Sequence, residues 1–159
     1  MSMPTGDVRV RRPQQYEALM QELREEAAFA TFRDILLFAA AVGAHFKRRV
    51  AFAKTAGDAI RYEPTMREPM FSETLINMIA ASAPETAADP EILDSSRLGE
   101  RVRIFEEYAN GGLEYIQEQV NVRHEPANLV VIGLATEALA RSGAAEAVSV
   151  DELLSGVSW

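Results

Sequence analysis

Between Thr31 and Phe46 the chain reads Thr-Phe-Arg-Asp-Ile-Leu-Leu-Phe-Ala-Ala-Ala-Val-Gly-Ala-His-Phe, and from Ile35 to Ala44 it carries no charge. Thr31 and Asp34 stand at capping-box spacing, which lets the hydroxyl take an orphan amide of the first turn while the carboxylate complements the positive end of the helix dipole. Phe32, Ile35, Ala39, Val42 and Phe46 mark one face, and Leu36, Leu37, Phe38 and Ala41 widen it until little polar surface remains. The stretch therefore reads as a buried helix that the rest of the chain must cover. Ten uncharged residues reach only about 15 Å at helical rise, about half of a bilayer core, so it is too short to span a membrane. Gly43 and the basic run after it end the element.

The same periodicity argument sets out the other elements. Pro13 suits a first helical position, and Tyr16, Leu19, Met20, Leu23 and Ala27 recur at helical spacing to about Ala28, with Glu17, Glu22, Glu25 and Glu26 turned to water. Val50 and Phe52, then Ile60 and Tyr62, alternate on either side of a polar turn and predict a small β-hairpin over about residues 49–62. Val8-Arg9-Val10 is either a short edge strand or an arm. Ser72 can cap a helix that buries Leu75, Ile76, Ile79 and Ala80, and Asp89-Pro90 opens a short turn through Ile92 and Leu93. Leu98, Val102, Phe105, Ala109, Leu113, Ile116 and Val120 keep helical phase across Gly111-Gly112, so one long helix, bent or weakened at the glycines, is predicted over 97–120. After Pro126, the residues Leu129, Ile132, Ala135, Ala138 and Leu139 share a face in a helix ending near Gly143, although Leu129 to Ile132 also suits a buried strand. Ser149 and Glu152 make a last capping box. The expected fold is thus mainly α, a compact domain of five to six helices with the small hairpin. Residues 1–12 form an N-terminal arm, 13–142 one helical domain, and 143–159 a tail with a short helix.

The 159 residues suit one domain, and 48% apolar with 25% charged residues is the balance of a soluble globular chain. There is no cysteine, which removes disulfides, thiolate metal sites and a cysteine nucleophile. The N-terminal residues lack the apolar run of a secretory signal, and the reading places the chain in the cytoplasm. A net charge of −8 opposes whole-surface attraction to nucleic acid, but the charge is unevenly spread. Residues 1–12 carry three arginines against one Asp, and 44–61 carry Lys47, Arg48, Arg49, Lys54 and Arg61 against Asp58, whereas 62–96 and 124–159 are strongly acidic.

Catalysis needs convergent groups, and few standard sets can be assembled here. His45 and His124 have neither a second histidine nor a cysteine at metal-ligand spacing. His124-Glu125 can pair with Glu106 or Glu107 on a metal, or simply end a helix, and His45 suits a helix C-terminus. Lys47 and Lys54 do not follow carboxylates in the order of a restriction-type nuclease. No glycine run precedes a Lys-Ser or Lys-Thr pair, and Ser72, Ser95 and Ser142 lack a nucleophile-elbow setting. No catalytic residue, metal site or cofactor is assigned. Two stretches remain as contact candidates. The basic segment, with Lys47, Arg48, Arg49, Lys54 and Arg61, is either a solvated helix-end loop or a contact for nucleic acid or an acidic partner. Glu106, Glu107, Tyr108, Asn110, Gly111 and Gly112 form either an ordinary charged face or a partner-docking surface.

Three blocks resemble a known family: Phe32-Arg33-Asp34-Ile35-Leu36-Leu37-Phe38-Ala39-Ala40-Ala41-Val42-Gly43, Ile76-Asn77-Met78-Ile79-Ala80, and Ile104-Phe105-Glu106-Glu107-Tyr108-Ala109-Asn110-Gly111-Gly112-Leu113-Glu114. Their order and spacing is similar to that of the Dnd system-associated protein 4 family, small proteins encoded beside bacterial DNA phosphorothioation modification and restriction genes. The resemblance covers roughly residues 8–120 and not Pro126 to Trp159. It implies a non-catalytic accessory or regulatory role in anti-phage defence, exerted by protein contact with a larger ATPase, nuclease or DNA-modification subunit. The alternative it leaves is a DNA-binding module of the same system, using the basic loop 47–61. A homo-oligomer is compatible with either, and a membrane partner with neither.

Overall fold

The computed structural model describes residues 8–26, 29–66 and 70–155. Over these residues the elements run β1 (Arg9–Val10), α1 (Glu17–Glu25), α2 (Phe32–His45), β2 (Ile60–Arg61), α3 (Met70–Ser82), α4 (Leu98–Arg123) and α5 (Ala127–Ser155). Three 3-10 turns, Gln14–Tyr16, Pro90–Leu93 and Ser95–Arg97, and a wider turn at Tyr62–Met66 connect them. The mainly α class expected from the sequence is the class found. No helix among the described residues is long and apolar enough to cross a membrane.

The α2 helix lies at the centre. Its first turn is capped as the sequence predicts, the Thr31 hydroxyl accepting the Asp34 amide at 3.2 Å, while the Asp34 carboxylate turns to Arg33 instead of back to the Thr31 backbone. Ile35, Leu36, Leu37, Ala39, Ala40 and Val42 are buried. Their largest partner is α4, which keeps its helical phase from Leu98 to Arg123 and buries Val102, Phe105, Ala109, Leu113 and Ile116. Each large side chain covered this way contributes about 1.5–3 kcal/mol. The glycine pair that reads as a weak point in the sequence is where the two helices come closest. A Cβ at Gly112 would fall 1.7 Å from the Ala39 carbonyl oxygen, and one at Gly43 would fall 2.0 Å from that of Tyr108. Upstream, the Asp89 and Asp94 carboxylates cap successive turns, and buried Arg101 donates to the carbonyls of Ile92 and Asp94 at 2.7 Å each, tying those turns to α4.

Several expectations need correction. The small antiparallel sheet exists, but not as a hairpin within 49–62: β2 pairs with β1, Arg9 opposite Arg61 and Val10 opposite Ile60. Two-residue strands gain little from pairing with each other alone, and β1 brings Val10 into the core with it. Residues 8–12 are therefore docked on the body, not a free arm. Ser72 lies inside α3, buried, and does not cap it. Finally, α5 passes through Gly143 without a break to Ser155, so neither a helix end at Gly143 nor a separate short helix near Ser149 is found. Its buried face is also not the predicted one. Ala127, Val130, Val131 and Leu134 are covered, whereas Leu129, Ile132 and Leu139 are 49%, 56% and 74% exposed. Four successive apolar residues from Leu129 to Ile132 cannot all face one side of a helix, so periodicity does not fix which pair is inside.

Candidate interaction surface

The two sequence candidates turn out to be each other's partners. The α2 helix ends in a left-handed residue, Lys47 with φ 55°, and the amides of Lys47 and Arg48 return to the carbonyls of Ala44 and Gly43 at 3.3 and 2.8 Å. This is a Schellman closure, and it turns the chain back across α4. Arg48 then lies on Gly111, where a Cβ would be 2.2 Å from the Arg48 carbonyl oxygen. The Val50 amide donates to the Glu107 carbonyl at 3.0 Å, and Asn110 Nδ2 donates to the Val50 carbonyl at 2.9 Å. Side chains complete the seam. Arg48 meets Glu118 at 2.7 Å and Glu114 at 3.4 Å and lies over Tyr115, which stacks on Phe46 with centroids 4.1 Å apart. Arg49 pairs with Glu85 and Glu107 and lies over Tyr108.

Glu106 is held from the other side. Its carboxylate accepts the Arg11 backbone amide at 2.6 Å and the Arg11 guanidinium through Nε and Nη2 at 3.1 Å each. Burial pushes this carboxyl above its ordinary range, against the pull of the Arg11 donors. At Arg49 desolvation works against the charge, but the hydrogen bonds that it donates to Glu85 and Glu107 more than offset it and hold the guanidinium protonated. Glu106, Asn110, Gly111 and Gly112 are all buried, Glu106 against Arg11, Asn110 and Gly111 against the loop at 48–50, and Gly112 against Ala39 of α2. Glu107 and Tyr108 are partly covered. Of the basic set, Lys47, Lys54 and Arg61 remain exposed.

Nothing here assembles the metal pair considered from the sequence. His124 ends α4 in a left-handed conformation with φ 54°, 18 residues beyond Glu106, or about 27 Å at helical rise. His45 is exposed at the end of α2, edge-on to Phe46 at 4.7 Å. Among the described residues no three His, Cys, Asp or Glu side chains converge on a point where a metal ion could sit.

Further surfaces open to a partner are apolar, and the sequence reading missed them. On α5, Leu129, Ile132 and Leu139 fall within about 80° of one another around the helix axis. All of residues 136–142 are exposed, so this stretch of the helix is not covered by the body. Beside α2, a groove of about 750 Å³ has Ala41, Ala44, Leu75, Met78 and Ile79 on its walls and Lys47 and Arg49 among its lining residues. Phe71 and Met78 stand exposed on the outer side of α3. The available signal was the excess of apolar residues in α5 over what one buried stripe can hold.

A family model described as DNA sulphur modification system-associated protein 4 matches residues 9–152. The match takes in most of α5, beyond the resemblance over roughly residues 8–120. No curated protein and no solved structure matches the chain.

Proposed function

The chain belongs to the DNA sulphur modification system-associated protein 4 family, and from that premise we propose that it is a non-catalytic accessory or regulatory subunit of a bacterial DNA phosphorothioation-linked restriction system, acting by contact with a larger protein of that system. The exposed apolar stripe of α5 carries this reading. Contiguous apolar surface left uncovered on a helix marks a place where another macromolecule closes. The acids on which a metal-dependent enzyme would depend support it as well, because Glu106 is engaged by Arg11 and Glu107 by Arg49. Within the basic loop 47–61, Arg48 and Arg49 are likewise committed to carboxylates of the same chain, which leaves Lys47, Lys54 and Arg61 for an outside anion.

The test is co-expression of the tagged chain with each of the other proteins of the modification system, followed by affinity capture. Ile132→Glu with Leu139→Glu places two charges in the stripe without touching the covered face, so thermal stability is expected to hold while capture falls by about tenfold or more. Capture unaffected by the pair removes α5 as the surface. A chain that captures none of those proteins removes the accessory reading.

A further inference from the structure

The sheet joins the two basic segments that lie far apart in sequence. Residues 8–14 run antiparallel to 54–62: Tyr62 donates to the Val8 carbonyl at 3.0 Å, Ala56 to that of Arg12 at 2.9 Å, and Gln14 to that of Lys54 at 3.0 Å. Pro13 bridges to Thr55, so the pairing continues beyond β1 and β2. The hydrogen bond between Tyr62 and Val8 makes Arg9 and Arg61, one step along, a pair without mutual ladder bonds, the arrangement in which opposed side chains lie closest. Directly opposed side chains have Cβ atoms about 5 Å apart, and like charges there oppose pairing.

Seven of the fourteen arginines, Arg11, Arg12, Arg33, Arg48, Arg49, Arg97 and Arg123, meet a carboxylate in the described structure. Arg9 and Arg61 are exposed and meet none among the described residues, as does Lys54 at the other end of the ribbon. The one acid on the two ribbon strands is Asp58, at the turn beside Gly57. Two arginines without a carboxylate partner among the described residues are thus held opposite one another, where they weaken the sheet that carries them.

We propose that the outward face of this ribbon binds the phosphodiester backbone of a nucleic acid, with Arg9 and Arg61 closing on phosphate. A guanidinium pair fits this ligand class because each presents a planar fork of donors to phosphate oxygens. The acidic remainder of the molecule does not cancel the effect, since at physiological salt exposed charges act only over about 8 Å. This inference does not depend on the α5 stripe.

The experiment is fluorescence anisotropy of a short labelled DNA duplex against the full chain across a salt series, with Arg9→Ala/Arg61→Ala and, as control, Arg48→Ala, whose guanidinium is committed to Glu118. The wild type is expected to bind at low salt, and the double variant to bind about tenfold or more weakly with a salt slope reduced by about two. Arg48→Ala should bind like wild type. Thermal denaturation run in parallel is expected to show the double variant as stable as wild type or more so, because a repulsive pair has gone. If that variant unfolds, Arg61→Gln is measured in its place and is expected to bind more weakly than wild type with a salt slope reduced by about one. Absence of binding at low salt, binding unchanged by the substitutions, or displacement of the duplex by inorganic phosphate at constant ionic strength would each overturn the proposal, the last by showing a small-anion site.

Discussion

Alanine at Gly112 and at Gly99 is the same substitution in the same helix, and the packing predicts opposite signs. On propensity alone each change favours α4 by up to about 1 kcal/mol. At Gly99 a Cβ meets nothing within 4 Å, so this gain is expected to stand and to raise the melting temperature by about 2–4 °C for a domain of this size. At Gly112 the Cβ would lie 1.7 Å from the Ala39 carbonyl oxygen, 2.5 Å from its carbon and 3.0 Å from its Cα. All three are backbone atoms in the middle of α2, so no side chain can swing aside and the helices must separate by more than 1 Å. Separation loosens Ala39, Ala40, Ala109 and Leu113, all buried at that crossing. Overpacking of a well-filled core costs about 1–3 kcal/mol, and where two helix backbones collide the upper end applies. Less the propensity gain, Gly112→Ala should lose about 2 kcal/mol, which corresponds to about 4–8 °C in melting temperature. Urea unfolding followed by far-ultraviolet circular dichroism, at one pH for all three proteins, gives both differences directly. A Gly112→Ala chain as stable as Gly99→Ala would refute the reasoning, because it would mean that α2 and α4 are not in backbone contact there.

Two further outcomes follow from the seam between these helices. Lys47 adopts a left-handed conformation that glycine takes without steric penalty, so Lys47→Gly is expected to stabilise the chain by about 0.5–1 kcal/mol, read from the same urea titration; a loss would show that the Schellman closure is not as described. Because burial raises the Glu106 carboxyl above its unfolded value, the contribution of this group is fully present below the ordinary glutamate range and is lost as pH rises through the raised value. The stability of wild type relative to Glu106→Gln should therefore decline from acidic pH upward and then level off. A difference that grew with pH would show that the Arg11 ion pair outweighs desolvation.

Much of the helical frame is legible in the sequence where the signal is local. Thr31 and Asp34 are three residues apart and specify a helix start that needs no tertiary partner, and the phase from Leu98 to Val120 survives the glycine pair because seven positions agree on it. The signal fails where pairing is long-range or redundant. Val50, Phe52, Ile60 and Tyr62 alternate like a hairpin, but strands this short are chosen by what they can pack against. Val8 to Val10, about fifty residues upstream, offers β2 an edge with Val10 already buried. In α5 the run from Leu129 to Ile132 satisfies two helical faces equally, so the choice between them is made by α1 and α4. Glu22, read as solvated, in fact accepts the Ala127 amide at the start of α5.

The candidate site was read less well, for a reason that concerns charge. Basic and acidic runs in a sequence suggest two separate surfaces awaiting outside partners, yet opposite charges on elements that pack together neutralise one another first. Loop 47–50 and the acids of α4 are brought together by Gly43, Gly111 and Gly112, and small residues at matched positions in two predicted helices are the sequence sign that such a crossing exists. Partly exposed ion pairs of this kind add little stability, about 0–1 kcal/mol each, so their effect is to fix the course of the loop over α4. Once those charges are assigned internally, an apolar stripe on α5 and an opposed arginine pair on the ribbon are among the features that the described residues leave unsatisfied. Each is unfavourable for an isolated monomer, one by exposing hydrocarbon to water and the other by repulsion. A partner protein on the stripe and a phosphate backbone on the arginines would relieve them separately, which is why substitutions in one should leave binding at the other unchanged.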